Sequence, residues 1–120
     1  MKFSKLFASA LMAGSLSVSA ASYADVEANN WNVNDWTATF GCHKGNYTVR
    51  LDNYFSGVET CSVACSSRFH NEVTQVVVHP YSYALVYGTF GKTSTTCDVI
   101  CNSPHYGLRT VARVSGSCVL

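Results

Sequence analysis

The chain has 120 residues, six cysteines, a formal net charge of +1 and only 12% charged side chains. That length allows one domain. The near-balanced charge offers no clustered positive surface for displacing counterions from nucleic acid or for holding an anionic membrane, so neither partner is expected.

Lys2 and Lys5 precede a short apolar run over residues 6–14, and small residues lead to Ser22-Tyr23-Ala24. A charged start, an apolar centre and a small-residue end read as a signal peptide over residues 1–24, cleaved after Ala24, with Ala20 as the other candidate. The apolar run is too short to cross a bilayer as a helix, and no stable membrane insertion is expected. The mature chain of about 96 residues lies near the small end of what a hydrophobic core stabilises unaided. Without Lys2 and Lys5, six basic side chains face seven acidic ones. Residues 25–41 place Trp31, Trp36 and Phe40 among Asn and Thr, and read as an N-terminal extension with too little apolar surface to fold alone.

Residues 42–120 read as a single disulfide-stapled domain with an internal duplication. A shift of 36 residues aligns Thr60-Cys61-Ser62-Val63-Ala64-Cys65-Ser66-Ser67 with Thr96-Cys97-Asp98-Val99-Ile100-Cys101-Asn102-Ser103, and windows 42–77 and 78–113 share eight identities. In the first unit Tyr47, Val49 and Leu51 alternate with polar residues as a half-buried strand does. Ser56-Gly57-Val58-Glu59 has capping-box spacing, and Val58, Cys61, Cys65 and Phe69 recur at helical intervals, predicting a helix over 57–69. A strand follows at 73–78, and 79–82 make the turn between the halves. The second unit repeats the order: Tyr83, Leu85 and Tyr87 in a strand phased like 47–51, a shorter helix at 94–102 ahead of Pro104, and a strand at 109–114. Strand, helix, strand, repeated, predicts an α+β ferredoxin-like split βαββαβ fold, with a four-stranded antiparallel sheet and two disulfide-linked helices on one face. The alternative makes 60–65 and 96–101 strands, giving an all-β disulfide-stapled domain.

Six cysteines in a small secreted chain imply a disulfide framework rather than a metal site, and Cys-x-x-x-Cys is not zinc-like spacing. Antiparallel helices set Cys61 opposite Cys101 and Cys65 opposite Cys97. Antiparallel strands give the same pairs. Cys42 before the first strand and Cys118 after the last meet if those strands are neighbours in the sheet, predicting the third bridge.

A secreted, disulfide-stapled, duplicated βαββαβ chain resembles the virus-encoded killer toxins of fungi and the small cysteine-rich fungal effectors that share their fold. The resemblance covers roughly residues 42–118, through element order and cysteine placement. It implies a non-enzymatic secreted effector or toxin-like protein that contacts a host or competitor molecule, with an extracellular protein or glycan as partner and no cofactor.

Two other functions are weighed. A histidine-dependent enzyme such as a ribonuclease would draw on His43, His70, His79 and His105 with Asp52, Glu59, Glu72 and Asp98. The βαββαβ topology, however, separates His43 and His70 from His79 and His105, and no nucleophile motif or metal-ligand spacing occurs. An inhibitor of an extracellular enzyme would need an exposed, braced loop, at 52–56 or 79–82. Asn46-Tyr47-Thr48 is a glycosylation sequon at Asn46. If helices cover the sheet face carrying Tyr47, Val49, Leu51, Val76, Leu85 and Tyr87, the opposite face presents Arg50, Val77, Val86, Val111 and Arg113. That face is the candidate binding face unless residues 25–40 lie across it as a structural cover.

Overall fold

The segment around Cys61 is made almost wholly of small and β-branched residues with side chains alternating in character, and its counterpart around Cys97 is similar. Such stretches suit a pleated, half-buried surface better than a helix. In the computed structural model, which describes residues 23–26 and 30–119, both are strands. The described residues form nine: β1 (Tyr23–Val26), β2 (Trp31–Asn32), β3 (Trp36–His43), β4 (Asn46–Asn53), β5 (Glu59–Ser67), β6 (Asn71–Val78), β7 (Tyr83–Tyr87), β8 (Thr95–Ser103) and β9 (Gly107–Val119). No helix occurs among the described residues, which overturns the ferredoxin-like α+β expectation and agrees with the all-β alternative. Most of the expected signal peptide lies outside the described residues; its end does not, and the bond after Ala24 falls inside β1.

The strands form two antiparallel sheets. The larger has the order β1-β9-β8-β5-β6, with β2 also paired to β9, and the smaller has the order β3-β4-β7. Their inner faces meet in one core containing Trp36 and Phe40 of β3, Tyr47, Val49 and Leu51 of β4, Val86 of β7 and the inward residues of β5, β8 and β9. Within the expected extension, residues 30–41 are part of the sandwich rather than laid on it: Trp36 is 1% exposed, whereas Trp31 on β2 is 43% exposed. The β3–β4 hairpin turns on Lys44 and Gly45, with φ of 53° and 83°, the double positive φ of a type I′ turn. In β9 a register shift lets Val111 and Ala112 both enter the core, as a β-bulge does.

Windows 42–77 and 78–113 follow the same course, each giving one strand to the small sheet and a hairpin to the large one. The central antiparallel pairs β4–β7 and β5–β8 place the halves about a pseudo-twofold axis, which maps the bridge Cys61–Cys101 onto Cys65–Cys97. β7 is out of phase by one residue with the 36-residue offset. Val49 points inward, but the inward residue opposite it is Val86, not Leu85. Leu85 and Tyr87, expected on the covered face, are exposed. Gly88 accounts for where β7 ends: its N–H donates to the Tyr47 carbonyl, and a Cβ there would fall inside the Tyr47 ring.

All three expected bridges are present. Cys61–Cys101 and Cys65–Cys97 join directly opposed residues of β5 and β8, with Cα atoms 4.0 Å apart in both. Cys42–Cys118 forms for a different reason from the one expected. Its strands β3 and β9 are not sheet neighbours but lie in opposite sheets, so the bridge ties the two layers together. Three disulfides in so small a domain are typical of extracellular proteins.

The bridges differ in what they contribute. Cys42–Cys118 spans 76 residues, of which 40 are already closed by Cys61–Cys101; the roughly 36 left correspond to about 4 kcal/mol in the chain-entropy account. Cys65–Cys97 closes 32 residues nested within the 40 already closed by Cys61–Cys101, so little new loop entropy is removed. Urea unfolding is expected to show a larger loss for the Cys42→Ala/Cys118→Ala variant than for Cys65→Ala/Cys97→Ala.

Candidate functional site

The residues marked from the sequence as a binding face do not share one surface. Arg50 lies on the outer face of the small sheet, and Val77 and Arg113 lie on the outer face of the large sheet, where Arg113 pairs with Asp98 at 2.7 Å. Val86 and Val111 are buried between the sheets. The single-sheet topology put alternate residues of all strands on two faces. A sandwich has two outer faces and an interior, and the slipped phase of β7 and the bulge of β9 turn Val86 and Val111 inward.

The histidines divide between the two ends of the sandwich. At the end carrying Cys42 and Cys118, His43 meets the Tyr87 ring edge-on at 5.8 Å, and His70 meets Phe90 at 4.8 Å. At the other end His105 packs on Tyr106 and Phe55, while the His79 carbonyl accepts from the buried Asn53 amide. Among the described residues no hydrogen bond joins a histidine to a carboxylate. A cleft of about 270 Å³ opens beside His70, lined by Asn46, Phe69, Phe90 and Lys92, so the sequon asparagine sits at its wall. The two loops considered for an inhibitor meet each other: Asn53 Nδ2 bonds the carbonyls of Gly57, Val78 and His79, and its N–H bonds the Ser82 carbonyl. No cysteine lies in either loop, so the brace is an asparagine side chain rather than a disulfide.

Two of the carboxylates are structural in placement. The Glu72 carboxylate accepts from the Tyr47 hydroxyl at 2.9 Å, and from the Thr89 N–H and hydroxyl. Burial alone would raise its pKa; these donors, with nearby His70, hold it below the usual carboxylate value. Burial, reinforced by the same contact, pushes the Tyr47 phenol above its ordinary value. Glu59 is 1% exposed, and neither of its oxygens has a hydrogen-bond partner. Its pKa is raised by burial, and secondarily by Asp35, against the downward pull of Arg109 and Ser103.

The outer face of the small sheet is built differently. Register sets Thr37, Asp52 and Tyr83 in one row, Thr39, Arg50 and Leu85 in the next, and Gly41, Thr48 and Tyr87 in the third. Tyr83, Leu85 and Tyr87 are 53%, 42% and 58% exposed. Arg50 holds Asp52 through both Nε and Nη2 at 3.1 Å, while its guanidinium carbon lies 4.2 Å from the centre of the Tyr83 ring. Arg50, Asp52 and His43 were each singled out from sequence. The three β7 side chains were missed as surface, because their alternation is compatible with either phase. No protein family, curated sequence or solved structure matches this chain.

The buried Glu59 and the half-buried Glu72 should give opposite pH responses. Glu72 has a depressed folded-state pKa, so its contribution is present above the unfolded value and is lost as pH falls below about 4. Glu72→Gln should cost roughly 1–2 kcal/mol at neutral pH and remove that acid slope in urea unfolding. Glu59 has a raised pKa, so its contribution is full at low pH and fades as pH rises through the folded-state value. Glu59→Gln should therefore gain on the wild type as pH increases.

Proposed function

We propose that this is a secreted, non-enzymatic binding protein that acts outside the cell on a molecule of another organism or cell, through the outer face of the small sheet. One observation carries the reading. β7 turns its three largest side chains to solvent and its small ones, Ala84 and Val86, to the core. A slip of one residue would bury Tyr83, Leu85 and Tyr87 instead, since neighbouring strand residues face opposite ways. A cluster of exposed aromatic and aliphatic side chains on a rigid sheet is the usual mark of a contact surface. The cystines support an extracellular setting, and the N-terminal pattern of charge, apolar run and small residues supports secretion.

The element order that gave the likeness to killer toxins is absent, while the three disulfide pairs expected from this sequence are present in another fold. The reading therefore rests on the surface rather than on that likeness. The histidine-dependent alternative has less to draw on, because its histidines sit two to an end.

The test uses labelled, oxidised mature protein on a panel of fungal, plant, animal and bacterial cells. Tyr83→Ala/Tyr87→Ala, which removes exposed rings, should leave thermal unfolding nearly unchanged and weaken cell binding by about tenfold or more. Val73→Ser/Val77→Ser on the large sheet should leave binding intact. The reverse pattern, or equal binding by the tyrosine variant, would contradict the assignment.

A further inference from the structure

We propose that the ligand of the small-sheet face is a neutral glycan, lying along β7 with its rings stacked on Tyr83 and Tyr87. This deepens the binding reading above and rests on it.

The second tyrosine lies four positions along the strand from the first, about 13 Å at the usual rise. That is the span of a short oligosaccharide. Both rings are on one face of one strand and are held in place, Tyr83 by the Arg50 guanidinium and Tyr87 by a T-shaped contact with the His43 ring. Fixed, half-exposed aromatic faces stack on the C–H faces of pyranose rings at little entropic cost. Leu85 continues the apolar strip between them.

Beside that strip the face is polar but uncharged. Arg50 and Asp52 neutralise each other, with side chains 50% and 18% exposed. Thr39 and Thr48 add hydroxyl groups in the same rows. Among the described residues Arg50 Nη1 has no protein acceptor. Sugar hydroxyls, which both donate and accept, can replace water on an Arg–Asp pair and on threonines without leaving a charge stranded.

Other ligand classes fit less well. The centre of a protein interface is depleted of aspartate and fully desolvated; here an ion pair lies on the middle strand of the sheet and would be dehydrated at a cost. Nucleic acid or an acidic polysaccharide requires clustered cations, and Arg50, the one arginine among the described residues of this face, is already offset by Asp52.

The oxidised mature protein is run in affinity gels containing soluble β-glucan, mannan or chito-oligosaccharide, with heparin as the charged control. At least one neutral polymer should retard the wild type, in high salt as well as low, and heparin should not. Tyr83→Ala/Tyr87→Ala should weaken that retardation about tenfold, Asp52→Ala should weaken it too, and Tyr87→Trp should keep or strengthen it. In parallel, target cells are treated with a mixture of β-glucanase, mannanase and chitinase, or with protease. Binding abolished by the glycosidases and insensitive to protease supports the glycan. Binding that needs the tyrosines but is lost on protease treatment and survives the glycosidases overturns the glycan and leaves the binding face standing. Binding that does not need the tyrosines overturns both.

Discussion

On the inner face of the large sheet, β5 and β8 stack three directly opposed pairs: Cys61 with Cys101, Val63 with Val99, and Cys65 with Cys97. All six side chains are buried. Two covalent cross-links on either side of a valine pair fix the register of the central strands absolutely, because a slip of one residue would turn every cysteine to solvent. The remaining strands are placed by reference to this ladder. β6 and β9 are hairpin partners of β5 and β8, and β4 and β7 cross the opposite layer about the same pseudo-twofold axis. Cys42–Cys118 then ties the layers where β3 and β9 approach. A domain of this size buries too little apolar surface to rely on packing alone, and here the cystine sulfurs are themselves core material.

Covalent pinning also frees the surface from a structural duty. The small sheet contributes Trp36, Phe40, Tyr47, Val49 and Leu51 to the interior, which leaves the strand at its edge, β7, to seal its part of the core with Ala84 and Val86 alone. Its larger residues are then available to solvent on the same face as Arg50 and Asp52. Tyr47 connects the two roles: its ring packs against Gly88 at the end of β7, and its hydroxyl reaches Glu72 on β6 of the other sheet. Fold and contact surface thus share an edge whose conformation the core determines.

The pairs Cys61–Cys101 and Cys65–Cys97 were legible because they depend only on antiparallel neighbours, which helices and strands both provide. The element type was not legible from the cysteines. A spacing of four brings two residues to the same side of a helix, and, being even, also to the same side of a strand. The apparent capping box at Ser56 and Glu59 tipped the reading toward helix, yet Val58 and Phe69, taken as part of a helical stripe, are exposed, while Val63, off that stripe, is buried. The more informative signal was composition: Thr, Ser, Val and Cys through 60–67 favour a strand. The β7 phase was hidden for a related reason, since alternation of large and small apolar residues shows that a strand is present but not which side faces inward. The inward space at the end of β7 is taken by the ring of Tyr47, some forty residues away in sequence, which leaves no room for a side chain at position 88.

Because both element types share one disulfide map, mapping the bridges cannot distinguish them, but proton contacts can. In a β5–β8 ladder with Cα atoms 4.0 Å apart at both cystines, the opposed residues are non-hydrogen-bonded pairs with their Hα atoms close together. Nuclear Overhauser spectra of the oxidised protein should show strong Hα–Hα contacts for Cys61 with Cys101, Val63 with Val99, and Cys65 with Cys97. Unbroken sequential amide–amide contacts through residues 57–69, with those three cross-strand contacts missing, would contradict the account.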